Sequence, residues 1–326
     1  MQAITYNRYG GPDVLQTRQI DPPKPGPNQV LVKIHAASVT TADSMMRAGI
    51  PRFGRLFMGL TRPRHTGSGI GFSGEIESVG RAVKTLRVGD KVFGESLFGA
   101  GTHAEYVCVA EYGIISQLPD NIGFGEAAVL CDGALTSLSF LRDVGEIRRG
   151  QHILINGASG SLGSAAVQLA KYYGATVTAL CSSTNAELVR SLGADHVIDY
   201  HSQDIRKLQQ RFDVVFDTVG KLSASRHLHL LSKHGQFISP VLGLPLLFQA
   251  FKSKICGTRR VRFSATGLRP VPVLRDLLRE LKQIVEAGHC RMVIEKEYAL
   301  DEIVAAHRHI ETGHKKGNIV IRLEPD

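Results

Sequence analysis

The chain has 326 residues, 43% of them hydrophobic and 21% charged, which is ordinary globular usage over a length of about two domains and excludes disordered and collagen-like classes. No apolar run approaches the ~20 residues of a membrane span, and Met1 to Arg8 lack the core of a secretory signal. Lys and Arg outnumber Asp and Glu by 39 to 30, a net charge of +9. The basic residues cluster only briefly, at Arg259-Arg260 and Lys315-Lys316, without a basic helix or interleaved aromatics, so the excess suits a phosphate-bearing small ligand better than nucleic acid.

Pro22 to Pro27 is extended and turn-rich. Val30 to Ile34, Gly74 to Val79, Lys91 to Phe93 and Ala104 to Val109 then read as short strands, punctuated by Gly80, Gly89 and Gly99 to Gly101. From His152 strand and helix alternate. Strands are predicted at Ile153–Ile155, Thr176–Leu180, His196–Ile198, Asp213–Phe216 and Gln236–Ile238. Helices are predicted at Ser164–Tyr173, Asn185–Leu192, Gln203–Gln210 and Ser223–Leu231. That alternation implies βαβ units and a parallel sheet, which a sixth strand near Ile255–Phe263 completes as two mononucleotide-binding halves. Amphipathic helices at Val271–Ala287 and Leu300–Glu311 and a strand at Ile319–Ile321 are expected to return to the first domain. The predicted fold is α/β: a doubly wound Rossmann domain, residues 121–269, inserted in a discontinuous β-rich domain, residues 1–120 and 270–326. The cysteines, Cys108, Cys131, Cys181, Cys256 and Cys290, lie far apart with no C-x-x-C, so neither a disulfide framework nor a zinc knuckle is encoded, and a reducing cytoplasm fits.

The strongest local signal is Ile153 to Gly163. An apolar strand enters a turn of small residues, Ala158-Ser159-Gly160, and a helix opens at Ser161-Leu162-Gly163. Small residues let the backbone approach a pyrophosphate, which the helix N-terminus attracts; the form is A-x-G-x-x-G in the strand–turn–helix context that a dinucleotide site requires. An NAD site expects a carboxylate about 20 residues on, at the ribose 2′-OH. Here the second strand ends in Ser182, Ser183, Thr184 and Asn185, donors that suit a 2′-phosphate, so the expected cofactor is NADP(H). The same residue types also cap helices, and both roles are open.

Further motifs run in order: Tyr9 to Leu15, Ser38 to Asp43, Gly74 to Gly80, Val88 to Gly94, Gly101 to Val107, Gly133 to Thr136, Ala165 to Lys171, Leu192 to Tyr200 and Phe212 to Gly220. With the cradle they resemble the medium-chain dehydrogenase/reductase superfamily over nearly the full chain, and within it the zinc-independent quinone oxidoreductase branch. The resemblance implies a GroES-like catalytic domain formed from both chain ends, a nicotinamide in the cleft between it and the Rossmann domain, and a homodimer. In similar proteins a Gly-Leu-Thr turn approaches the nicotinamide, which points to Thr136. The tyrosine after the third strand lines the adenosine phosphate site, which points to Tyr200. Val219, at the end of the fourth strand, and Asn318, in the C-terminal loop, are carried over in the same way.

A catalytic zinc needs three protein ligands and an open position. Where zinc-dependent relatives carry Cys, His-Glu and a third ligand, this chain has Thr40, Ile70-Gly71 and Cys131 or Asp132. No metal is expected, Cys131 reads as a small buried residue, and His103 reads as structural. Without a Lewis acid, hydride transfer suits an already electrophilic acceptor, a quinone or α,β-unsaturated carbonyl. Thr40, whose family position faces the nicotinamide, is the candidate proton donor. Asp43 is either catalytic or a first-turn cap. Met45, Met46, Phe53, Phe57 and Met58 are candidates for one apolar wall of a substrate pocket and Leu242 to Phe251 for the other. Two alternatives stand beside the quinone/enone reductase. One is a reductase of acyl-CoA or lipid enones with a basic entrance at Arg259, Arg260 and Arg262. The other is a non-catalytic NADPH-binding sensor or RNA-binding protein.

Overall fold

The computed structural model describes residues 1–96, 101–255 and 258–323, without the side chains of Leu244 and Ile255; Gly99 and Cys256 lie outside the described residues. In chain order the strands are β1 (Gln2–Thr5), β2 (Gln16–Gln19), β3 (Gln29–Val39), β4 (Gly71–Val79), β5 (Lys91–Glu95), β6 (Tyr106–Ala110) and β7 (Ile114–Gln117). There follow β8 (His152–Asn156), β9 (Thr176–Cys181), β10 (His196–Asp199), β11 (Phe212–Asp217), β12 (Leu231–Ser239), β13 (Arg260–Phe263), β14 (Ile294–Ala299) and β15 (Asn318–Arg322). The α-helices are α1 (Thr41–Ala48), α2 (Arg55–Met58), α3 (Phe124–Ala128), α4 (Thr136–Ser139), α5 (Ser161–Tyr172), α6 (Ala186–Ser191), α7 (Ala224–His227), α8 (Leu244–Ile255), α9 (Val271–Glu286) and α10 (Ile303–Glu311). None of them is long and apolar enough to cross a membrane.

Two units form. The first contains Met1–Asp132, Pro270–Glu286 and Met292–Asp326. Its seven-stranded sheet runs β14-β15-β3-β4-β5-β7, with β6 also on β3, and β1 and β2 form a separate antiparallel pair. β3 organises the sheet. Its Val, Ile and Ala side chains are almost all buried, and it pairs antiparallel with β4 and β6 along its first part and with β15 over Ala36–Val39. Val32, Ile34, Phe72, Ile76, Val107, Ile303 and Ile319 meet in one core. Helix α3 packs on β3, β4 and β15, so the chain stays in this unit until Asp132. On α9 the buried residues Leu274, Leu277, Leu278, Leu281, Ile284 and Val285 recur at three- and four-residue spacing, the stripe of an amphipathic helix.

The second unit contains Gly133–Arg269 and Ala287–Arg291. Its six strands run β10-β9-β8-β11-β12-β13, and every pair is parallel. This is the doubly wound order 3-2-1-4-5-6. Ile153, Leu154, Val177, Val214, Val215, Phe237 and Ile238 are buried, as strands covered on both faces require.

Two expectations change, and one helix forms where none was predicted. Gln203–Gln210 is not a helix but one 3₁₀ turn at Ile205–Lys207. The Asp204 carboxylate accepts the Arg206 N–H at 3.0 Å and holds its guanidinium, a local bond that competes with helix. The helix at Ser223–Leu231 shortens to α7 and a 3₁₀ turn at Leu228–Leu230 because Leu231 already begins β12. Conversely, the apolar stretch after Ser239 contains the 12-residue helix α8. Pro245 lies in its first turn, where a missing N–H has no intrahelical partner to lose.

Candidate functional site

β8 delivers the chain to the cradle. Gly157 sits at φ +75°, a left-handed turn that glycine adopts without penalty. A Cβ there would meet Val219 Cγ2 at 2.2 Å. Ala158 is fully buried. Gly160 is the N-cap of α5 and makes no side-chain hydrogen bond there. Gly163 lies so close to the turn that a Cβ would meet Gly157 O at 2.0 Å. The turn glycine is thus Gly157, one residue before the alanine at which the sequence motif begins; its signal was the three-residue spacing of Gly157, Gly160 and Gly163.

Ser159, Ser161 and Leu162 complete the bend, and neighbours converge on it. A Cβ on Gly133 would meet Ser161 Oγ at 2.6 Å, and the Ser137 hydroxyl donates to Leu162 O at 2.8 Å. Thr136, between those contacts, is held beside the helix start. Asn185, buried behind β9, donates from Nδ2 to Ser159 Oγ at 2.9 Å, while its Oδ1 has no partner. Asn185 therefore braces the bend. Ser182 and Thr184, whose hydroxyls share a 2.9 Å hydrogen bond, reach solvent. Tyr200, half-exposed after β10, donates its N–H to Cys181 O at 3.3 Å, so Ser182, Thr184 and Tyr200 gather at the carboxyl ends of β9 and β10. Lys171 is engaged with Asp195 at 2.8 Å.

On the other side the buried Asp217 carboxylate accepts Asn156 Nδ2 at 2.8 Å and the N–H groups of Val219, Gly220 and Leu222. It fixes the 218–222 loop and sets Val219 over Gly157. Neither Asn156 nor Asp217 was singled out from the sequence; Asp217 lay inside a motif that was recognised without a role.

In the first unit, Thr40 and Asp43 are a reciprocal capping box. The Thr40 N–H and hydroxyl both donate to Asp43 Oδ2, at 2.8 and 2.7 Å, and the Asp43 N–H donates to Thr40 Oγ1 at 3.1 Å. Asp43 Oδ1 has no partner. Burial raises the Asp43 pKa to about 7, against the lowering effect of the Thr40 bonds. Burial, with Asp132 and Asp43 nearby, raises Glu95 to about 8. These two acids hold protons near neutral pH, and Glu95 was missed because nothing local marks it. Asn318 donates its side-chain amide to Val293 O at 3.0 Å. His103 is fully buried between Ser68 Oγ and Ser38 O, at 3.0 and 2.8 Å, which is a structural role.

At the positions of a zinc set the donors are poor. Thr40 is engaged with Asp43, and a Cβ on Gly71 would meet Ser38 Oγ at 2.5 Å. Burial raises the Cys131 thiol well above its ordinary value, against the thiolate a metal needs. Among the described residues no group of three or more His, Cys, Asp or Glu is placed to hold an ion.

Each unit has a cavity. One of about 230 Å³ in the first unit is lined by Tyr6, Tyr9, Met46, Phe57, Met58 and Arg64 among others. One of about 380 Å³ in the second is lined by Leu222, Leu242, Pro245, Leu246 and Phe248 among others. Met46, Phe57 and Met58 thus share a wall. Met45 and Phe53 do not line it; both side chains are largely exposed.

Residues 26–120 match the family described as alcohol dehydrogenase GroES-like domain, and residues 192–321 the family described as zinc-binding dehydrogenase. The chain is 31% identical to a quinone oxidoreductase of Pseudomonas aeruginosa, over 98% of both chains. It is 31% identical to an NADPH-dependent alkenal/one oxidoreductase, chloroplastic, of Arabidopsis thaliana, over 98% of this chain and 79% of that one. Among solved structures, the quinone oxidoreductase of Coxiella burnetii superposes with a TM-score of 0.88 at 31% identity, over 99% of both chains. That of Escherichia coli, complexed with NADPH, superposes at 0.85 with 25% identity, over 99% of this chain and 100% of that one. The chain belongs to the medium-chain dehydrogenase/reductase superfamily, as an oxidoreductase of its quinone-oxidoreductase-like branch.

Proposed function

We propose that the protein reduces quinones and α,β-unsaturated carbonyls with NADPH and without a metal. The observation that carries this is a turn of small residues running into α5, whose N-cap Gly160 makes no side-chain hydrogen bond, with hydroxyls rather than a carboxylate at the end of β9. Residues 157–163 hold the pyrophosphate; Ser182, Thr184 and Tyr200 hold the phosphorylated adenosine end; Thr136, Val219 and Asn318 serve the nicotinamide end. When bound, the reduced nicotinamide supplies hydride. The Thr40 hydroxyl supplies the proton and recovers it from the acid form of Asp43, with the Thr40–Asp43 hydrogen bond reversed so that Asp43 donates to Thr40 Oγ1, and solvent then reprotonates Asp43. The edge position of β13, which among the described residues pairs with β12 alone, supports a homodimer, and the scattered cysteines support a cytoplasmic protein.

Of the basic entrance expected for the lipid-enone alternative, Arg260 is exposed while the other two arginines have partners. Arg262 is engaged by Val144 O at 2.8 Å and Glu146 at 3.1 Å, and Arg259 by Ser232 O at 3.3 Å. The test is a titration with NADPH and NADH, followed by turnover on a panel of quinones and enones. NADPH binds more tightly and is oxidised by both classes. Tighter NADH binding refutes the cofactor, and inactivity with NADPH bound refutes the reaction. A salt-dependent RNA shift in place of turnover would favour the non-catalytic alternative.

A further inference from the structure

The reductase reading leaves unexplained a strongly one-signed segment of the first unit. Residues 44–74 contain five arginines and one histidine and no Asp or Glu. Two of those arginines have structural partners. Arg47 is buried against Glu311 and Gly10 O. Arg55 donates to the carbonyls of Gly49 and Ala48 and lies 4.5 Å from the Tyr9 ring centre.

Arg64 is different. It is exposed, and among the described residues its guanidinium has no ion pair or hydrogen bond. Its backbone is nonetheless fixed. The Arg64 N–H donates to Met58 O at 2.7 Å. The turn before it closes at Gly59, φ +119°, where a Cβ would meet Arg62 O at 2.0 Å. This turn presents Arg64, with His65, to the cavity of about 230 Å³ whose walls include Tyr6, Tyr9, Met46 and Met58, and among the described residues no carboxylate lines that cavity. Met46 lies on α1 one turn beyond Asp43, so the cavity and the proposed proton relay share a helix. A guanidinium beside apolar and aromatic walls attracts an anion more strongly than one in open water. The volume suits one or two fused rings or a short enone and falls below the roughly 300–1,000 Å³ of sites for drug-sized ligands.

We propose that Arg64, beside His65, binds an anionic substituent, a carboxylate or sulfonate, on a small conjugated substrate. The enzyme thereby favours acidic quinones and enones. This rests on the reductase reading and names its substrate class.

The test compares naphthoquinone with its ring-sulfonated derivative in steady-state NADPH oxidation by the wild type, Arg64→Gln and Arg64→Lys. Comparing variants on each substrate cancels the difference in electrophilicity. In Arg64→Gln the KM for the sulfonate rises about 10- to 100-fold, as expected for losing a charge-assisted hydrogen bond, while that for the neutral quinone stays within about threefold. Arg64→Lys recovers part of the loss. Calorimetric titration with naphthalene sulfonate, which accepts no hydride, reads the same site without turnover. If neither quinone is reduced but sulfonate binding still depends on Arg64, the reductase reading falls and the anion site stands. Equal KM changes on both quinones, or sulfonate binding indifferent to Arg64, overturn the proposal.

Discussion

Replacing Gly160 with Ala adds one methyl group to the phosphate cradle, and the free protein has room for it. The backbone at φ −79°, ψ −177° is open to any residue, and the nearest heavy atom to the new Cβ is Gly157 O at 3.4 Å. The folding cost is the poorer N-cap that alanine makes, about 1 kcal/mol, or roughly 2–4 °C in Tm for a unit of this size. With a pyrophosphate against the start of α5 the methyl stands where the phosphate must approach, and NADPH binding weakens about 10- to 100-fold. Gly163→Ala is the contrasting variant. Its Cβ would lie 2.0 Å from Gly157 O and 2.6 Å from Ala158 Cα, both backbone atoms, so the helix has to move off the turn. Such overpacking costs about 1–3 kcal/mol, and Tm falls together with binding. The chain contains no Trp, so NADPH's own emission reports binding while thermal melts report stability. An unchanged Kd in Gly160→Ala, with Tm nearly intact, would refute the cradle.

Ser182→Asp places a carboxylate at the end of β9 and lowers the NADPH-to-NADH affinity ratio at least about tenfold; parallel titrations check it, and an unmoved ratio removes Ser182 from the ribose site. Thr40→Val deletes the relay hydroxyl, so turnover falls about 10²- to 10⁴-fold for about 1 kcal/mol of lost capping. Lost stability with full turnover leaves Thr40 as a cap alone. The pH dependence of stability has two opposed arms. Burial lowers His103 to about 4 and His307, beside His103 and Arg47, to about 2, against about 6.5 unfolded. The unfolded chain therefore binds more protons, and stability falls as pH drops from about 6.5 towards 4. Asp43 and Glu95, raised to about 7 and 8, hold protons that the unfolded chain releases above about 4, so their contribution is lost as pH rises towards 8. Urea midpoints across pH show Glu95→Gln flattening the alkaline arm, and an unaltered slope removes Glu95 from it.

The order of the doubly wound sheet was legible because each βαβ unit repeats one local pattern, an apolar run followed by a helix with a buried face. The errors arose where a local bond or a neighbouring element overrode that pattern. Asp204 folds its carboxylate onto Arg206 and stops a helix that the spacing favours. Leu231 is claimed by β12 before α7 can lengthen. Helix α8 was hidden because its proline and continuous apolar residues carry no amphipathic period, although Pro245 sits where a helix tolerates it.

The same division runs through the site. Thr40 with Asp43, and Gly157 with Gly160 and Gly163, act over at most six residues of chain, and the sequence exposes such pairs directly. Asn156 with Asp217, and Ser159 with Asn185, meet through sheet register or across a turn, and no spacing rule marks them. Register also qualifies the choice of nucleotide. The absence of a carboxylate after β9 is a local fact, yet Asp199 pairs with Cys181 across β10 and β9, and its charge helps raise the Cys181 thiol to about 11, after burial. One oxygen of this acid is already engaged by the chain that follows it. Asp199 Oδ1 accepts the His201 N–H at 3.0 Å and turns the chain into Tyr200 and His201. Arg190, which lowers the same thiol, opposes its charge. In the proposed site, nucleotide preference is expected to depend on the balance between Asp199 and Arg190 as well as on Ser182 and Thr184. Arg190→Gln should weaken NADPH binding more than NADH binding by tipping that balance, and equal losses for the two nucleotides would assign the preference to the hydroxyls alone.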